Sequence, residues 1–162
     1  MAVLKRIHRD AYQCQDSEET RVFYEYFIGL ELINALTISG DQSSIPEVLH
    51  TLFAIQDSSC LAFFEDPKRP FNFKKQRDFD LHIALEVDKN TLLEMKKREQ
   101  EHGIETREIV QPGFIESVYF QDHNGSVVEL SVPKEDFQLM ERNHKKGILA
   151  EWQKIKQKST YR

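Results

Sequence analysis

Two side chains carry the chemistry this sequence can offer: His82 in DLHIALEVD (80–88) and Glu129 in SVYFQDHNGSVVELSVP (117–133). Both stretches alternate as strands do, with successive residues on opposite faces. In the first, Leu81, Ile83, Leu85 and Val87 share one face, and His82, Ala84 and Glu86 share the other. In the second, Val128, Leu130 and Val132 oppose Glu129, while Val118 and Phe120 oppose Tyr119. A carboxylate in the middle of an aliphatic strand needs a cation, a metal or a proton unless it points into water. An outward, solvated Glu129 and a structural strand histidine at 82 are the competing readings. The pair, with His and Glu each opposite an apolar face, raises metal binding as the chemistry to test.

The elements that must position them recur. Residues 3–14 read as a polar strand, and Asp16 is an N-cap with Glu19 as its capping-box partner. The helix that follows carries Val22, Phe23, Tyr26 and Phe27 at helical spacing and stops at Gly29. Strands are expected at 30–39, 47–56 and 60–65, with a loop at 40–46 and a turn at Asp57-Ser58-Ser59. After a proline-containing, charged linker at 66–79 the order returns: a strand at 81–87, a helix opened by Asn90 or Thr91 and ended at Gly103, and a strand at 104–110. Pro112-Gly113 breaks that strand, and a hairpin turning at 122–125 supplies the last two, with Asn124-Gly125 as its signal. YFIGLEL and EHGIETR correspond as helix end, glycine and strand, so the chain is an internal β-α-β-β-β repeat. The expected class is α+β: two tandem modules, 3–65 and 80–133, forming a curved mixed eight-stranded sheet within one domain (1–133). In the tail, 134–162, Phe137, Met140, His144, Ile148, Trp152 and Ile155 mark an amphipathic helix interrupted by Gly147. Packing on the domain or on a second subunit is its simplest role; a lid over the pocket is the other.

Composition narrows the class. Within 162 residues, 40% hydrophobic and 30% charged content is that of a soluble globular chain. A net charge of −5 gives no reason to expect nucleic acid or an anionic membrane as partner. No apolar run approaches the roughly 20 residues needed to span a bilayer, and the first ten residues lack a signal peptide's apolar run. Cys14 and Cys60 form neither a CxxC nor a disulfide framework. A cytoplasmic protein with reduced thiols is the expectation.

A tandem β-α-β-β-β repeat with His opening the second module and Glu on its last strand resembles the vicinal oxygen chelate superfamily, which includes glyoxalase I, extradiol dioxygenases and fosfomycin- and bleomycin-resistance proteins. The resemblance covers about residues 4–133 and is carried by DLHIALEVD, DSEETRVFYEYFIGLEL and VYFQDHNGSVVEL. The last is similar to the end of the extradiol dioxygenase motif: Tyr119, Asp122, Gly125 and Glu129 fit, and His123 stands where Pro is usual. The resemblance implies a divalent metal, Fe(II) or else Mn, Ni or Zn, held by two His and one Glu and open to a substrate with vicinal oxygens. It makes His82 and Glu129 two of the ligands, Tyr119 a donor to a substrate oxyanion, and a homodimer the default assembly.

The third ligand divides the readings. The family places it two residues before an Ala on the first strand, and counting back from Ala11, or from Phe23, reaches Arg9 rather than His8. A one-residue bulge would turn His8 inward instead. With Arg9 inward, its guanidinium would pair with Glu129 and take the place of the metal charge. The glyoxalase fourth ligand maps onto Ala62, which disfavours a lyase or isomerase, and Glu65 lies too near a strand end to replace it. The extradiol acid–base His is missing from 110–113, VQPG; His50 is the other imidazole available for that role, against a packed or solvated one. The leading expectation is therefore an extradiol-like metalloenzyme. The alternatives are a metal-free binding or sequestration protein using Arg9, and a glyoxalase-type enzyme.

Overall fold

The computed structural model describes residues 5–40, 46–72, 81–104, 106–111, 115–133, 147–149 and 151–157, with the side chains of 46 and 107–111 excepted. Phe137, Met140 and His144 of the tail, most of the linker, and Pro112-Gly113 lie outside the described residues.

The first module runs β1 (Arg9–Gln13), helix α1 (Ser17–Arg21, continuing to Ile28), β2 (Leu32–Ser39), β3 (Pro46–Ala54) and β4 (Cys60–Glu65). The second runs β5 (Ile83–Glu86), α2 (Lys89–His102), β6 (Thr106–Gln111), β7 (Ile115–Gln121) and β8 (Val127–Pro133). The eight strands hydrogen-bond as two sheets of four, β1-β4-β3-β2 and β5-β8-β7-β6, so each module builds the same order from the same sequence of elements. In both, the first strand lies parallel to the last and the other pairings are antiparallel.

Local chemistry explains the helix ends. The Asp16 carboxylate accepts from the backbone N–H groups of Glu18 and Glu19 at 2.9 and 2.8 Å. Glu65, at the end of β4, accepts from Ser17 N at 2.7 Å, so this carboxylate also serves the helix N-terminus. Gly29 closes the helix with φ 94°, a left-handed conformation that a Cβ would strain. The second helix is capped by Asp88, which accepts from Thr91 N at 2.7 Å. Asn90 and Thr91, expected to open it, sit inside its first turn. Asp88 was hidden because it also ends the apolar alternation of the preceding strand. The first helix departs from expectation in its second half: Val22–Ile28 winds as a π-helix, with Phe23, Tyr24 and Phe27 buried.

Those rings make the core common to both modules. Phe23, Tyr24 and Phe27 pack with Phe53, Leu61 and Phe63 of the first sheet, and with Leu92, Met95, Val118, Phe120, Val128 and Leu130 of the second module. The Phe27 ring meets the edge of Phe120 at 5.2 Å. Each such side chain contributes about 1.5–3 kcal/mol by leaving water. Neither sheet has a separate core among the described residues, so the modules support each other.

The β7–β8 turn carries the expected Asn124-Gly125 pair, two residue types that tolerate positive φ. Among the described residues of that turn only Gly125 adopts it, at 85°. Gly125 N donates to the Asp122 carbonyl at 3.0 Å, so 122–125 is one turn closed from its first to its fourth residue. Its side chains point inward. The Asn124 amide oxygen accepts from Gln15 N at 2.8 Å, and its NH2 donates to Thr20 Oγ1 and Asp122 Oδ2 at 3.2 Å each. The Tyr24 hydroxyl donates to Asp122 Oδ2 at 3.1 Å, and Ser126 N donates to Oδ1 at 2.7 Å. A buried polar network thus ties the turn of the second module to the helix of the first.

In the tail, 147–149 and 151–157 are helical. Gly147 is itself helical, and Ile148, Leu149, Trp152 and Ile155 are exposed.

Candidate functional site

The register of the second sheet brings His82 and Glu129 together. Ala84 pairs with Glu129 on β8, and His82, two residues earlier, shares that face. Tyr119 pairs with Glu129 from the other side. His82 Nε2 stands 3.0 Å from Glu129 Oε2. The Ser117 hydroxyl donates to Glu129 Oε1 at 2.5 Å, and the Tyr119 ring meets the His82 ring edge-to-face at 5.9 Å. Glu129 is only 7% exposed, so the solvated reading does not hold: its two oxygens face an imidazole and a hydroxyl. The His82 side chain keeps 34% of its surface open. The arrangement is a buried carboxylate orienting an accessible imidazole, which suits binding of a polar group and proton transfer to or from it. Ser117 had no role in the sequence reading; its place on the Tyr119 face of β7, paired with Ser131, was the available signal.

Two clefts meet at His82. One of about 740 Å³ runs between Ile7, Asp10 and Cys60 of the first module and His82 with the adjoining β5. The other, about 350 Å³, is lined by Tyr12, Gln13 and Phe71 on one side and by His82, Ile83 and Val127 on the other. Strands β1 and β5, each the edge of its sheet, therefore form opposite walls of the same clefts.

The repeat defines what stands opposite each site residue. Ala11 pairs with Ala62 as Ala84 pairs with Glu129. Arg9 is therefore the first-module counterpart of His82, and Ala62 that of Glu129. By the same registers Leu52 corresponds to Tyr119 and His50 to Ser117. Arg9 is exposed and makes no ion pair among the described residues, so the Arg9–Glu129 pairing anticipated from sequence is not formed within the chain. His8 is exposed too; continuing the strand alternation puts it on the side of Asp10 and Tyr12, away from Arg9. His50 lies in the first sheet, buried and stacked on the Phe64 ring at 3.9 Å. Its Nδ1 donates to the Phe63 carbonyl at 3.1 Å, and its Nε2 is buried without a partner among the described residues.

The donor set fits a divalent ion only in part. Two ligands at roughly 2.1 Å and right angles stand about 3 Å apart, the separation of His82 Nε2 and Glu129 Oε2. Yet no group of three His, Cys, Asp or Glu able to hold a metal occurs among the described residues. A site closed by three protein ligands of this chain is not present there.

Ionisation elsewhere follows burial. Desolvation pushes the Asp122 carboxyl above the usual range, with the Ser126 and Asn124 hydrogen bonds opposing it. Burial likewise raises the hydroxyl of Tyr24 and the thiol of Cys14, which keeps that cysteine protonated and apolar in the core. Neither Cys14 nor Cys60 is in a disulfide. No described helix is long and apolar enough to cross a membrane.

No protein-family model and no curated sequence matches the chain. Solved structures do. The fosfomycin resistance protein FosX of Listeria monocytogenes, complexed with Mn(II) and sulfate, is 20% identical with a TM-score of 0.62, over 85% of this chain and 99% of that one. A putative glyoxalase family protein of Bacillus anthracis is 20% identical at TM-score 0.60, over 83% and 99%. A glyoxylase/bleomycin resistance protein/dioxygenase domain of Frankia sp. is 12% identical at TM-score 0.65, over 82% and 100%. These are near full-length likenesses in three-dimensional form at low sequence identity. With the repeated β-α-β-β-β order and matching registers of the two sheets, they establish that the chain carries the vicinal oxygen chelate fold.

Proposed function

We propose that this protein binds and transforms a small oxygen-bearing molecule at the His82–Glu129 centre. The observation that carries the reading is the accessible imidazole held by a buried carboxylate, itself fixed by Ser117, where two clefts meet. Glu129 orients the ring, His82 accepts or donates a proton, and the Tyr119 hydroxyl is the candidate donor to a substrate oxygen. A metal-dependent, extradiol-like dioxygenase is the second reading. It is favoured by the 3.0 Å separation of the two donor atoms and by Mn(II) in the FosX complex; Fe(II) or a similar ion would then supply Lewis-acid and O2 chemistry.

A ligand-observed NMR screen of catechols, 2-hydroxy acids and phosphonates tests the centre. Hits should bind the wild type and weaken at least tenfold in His82→Ala, with an unchanged circular dichroism spectrum. Hits indifferent to His82→Ala would remove the reading.

Homodimer formation belongs to the same proposal. On the face of β2 shared with His50, Leu36 and Ile38 remain 39% and 42% exposed, apolar surface that a second copy would cover. Sedimentation equilibrium should give a dimer that Leu36→Asp with Ile38→Asp dissociates; a monomer at all concentrations contradicts it.

A further inference from the structure

We infer that Arg9 occupies the place of a third metal ligand, and that the His82–Glu129 centre works without a divalent ion, meeting an oxyanion of its substrate with the Arg9 guanidinium. The inference rests on the reading of His82–Glu129 as the working centre and adds the class of ligand.

The repeat is what locates Arg9. Residues two before Ala11 and two before Ala84 hold equivalent positions in their sheets, because each alanine pairs in the same parallel register with β4 or β8. One position carries His82, the other Arg9. Asp10, Tyr12 and Gln13, neighbours of Arg9 on β1, line the clefts that His82 and Ile83 also line. A fold that gathers ligands from its two modules would draw its first-module ligand from this position, and here the side chain has no lone pair to give. A guanidinium stays protonated, repels a divalent cation, and presents a fork of N–H donors suited to carboxylate, sulfate or phosphonate. Arg9 is exposed and engaged in no ion pair among the described residues, so this charge is open to a ligand. The other two equivalent positions of the first module offer no replacement: Ala62 holds the position equivalent to Glu129, and His50, equivalent to Ser117, is stacked on Phe64. The same positional rule passes over His8, whose side chain falls on the other face of the strand.

The test uses Mn(II) alone, followed by its electron paramagnetic resonance signal, on the full chain. The wild type should bind no Mn(II) tighter than millimolar. Arg9→His should bind it at least a hundredfold more tightly, also in an Arg9→His/His8→Ala background, and the gain should vanish when His82→Ala is added. Stoichiometric Mn(II) binding by the wild type that is lost in His82→Ala overturns the inference, as does an Arg9→His protein, folded by circular dichroism, that gains nothing. A gain that survives His82→Ala would instead sink the reading of His82–Glu129 as the centre. Phenylphosphonate, followed by 31P NMR, probes the anion: Arg9→Gln should weaken it at least fivefold, and undiminished binding would overturn the oxyanion assignment.

Discussion

Asp122→Ala lowers the unfolding free energy by about 3–4 kcal/mol, among the largest single losses expected from a polar residue in this chain. The carboxylate is 3% exposed and satisfies three donors: Ser126 N, the Tyr24 hydroxyl and the Asn124 amide. Alanine leaves them facing an apolar void, and each buried orphan donor costs about 1–3 kcal/mol before local relaxation. The loss should be global rather than local, because the network joins the turn of one module to the helix of the other, and both share one core. Urea melts followed by tryptophan-independent far-ultraviolet dichroism measure it. A change under 1 kcal/mol would mean the network is decorative.

The same residue fixes a pH dependence. Burial raises the Asp122 carboxyl in the folded state above its unfolded value. The folded protein therefore holds that proton more firmly than the unfolded chain does. Its contribution is fully present below the unfolded value and is lost as pH rises through the raised, folded value. Asp122→Asn does not titrate there, so its cost relative to wild type should be greatest at acid pH and should shrink as pH rises through that window.

Glu129→Gln weakens binding of any ligand seated on His82 by about 10–100-fold, the worth of a charge-assisted hydrogen bond of about 1.5–3 kcal/mol. The carboxylate accepts at both oxygens, from Ser117 Oγ at 2.5 Å and beside His82 Nε2 at 3.0 Å; the amide has one acceptor, so its NH2 must reverse one of these bonds. The imidazole keeps a neutral partner but loses the charge that assists its hydrogen bond. Ser117→Ala, which frees only one oxygen of Glu129, should have the smaller effect. Titration of a ligand from the screen into each variant separates the two.

Much of this was legible because alternation and capping are local. The period-two pattern of 81–87 and 127–133 assigned the faces of His82, Glu129, Val128 and Leu130, and Asp16, Gly29 and Gly103 marked helix ends through the backbone groups they satisfy or the conformations they allow. What was not legible depends on partners distant in sequence. The inward turn of Asp122 and Asn124 follows from Tyr24, Thr20 and Gln15, roughly a hundred residues away. The π-helical turn follows from the packing of three rings, which no spacing rule announces. The equivalence of Arg9 and His82 was visible as a count from Ala11 and Ala84, and the strand registers give it a physical basis.

The central claim is that His82 and Glu129 act as one unit, and a double-mutant cycle measures it most directly. Affinity for one ligand from the screen is determined in wild type, His82→Ala, Glu129→Gln and the double variant. If the carboxylate works through the imidazole, the double variant binds no more weakly than His82→Ala, leaving a coupling energy of about 1.5–3 kcal/mol. If the two losses simply add, the residues act independently and the account of this centre is wrong.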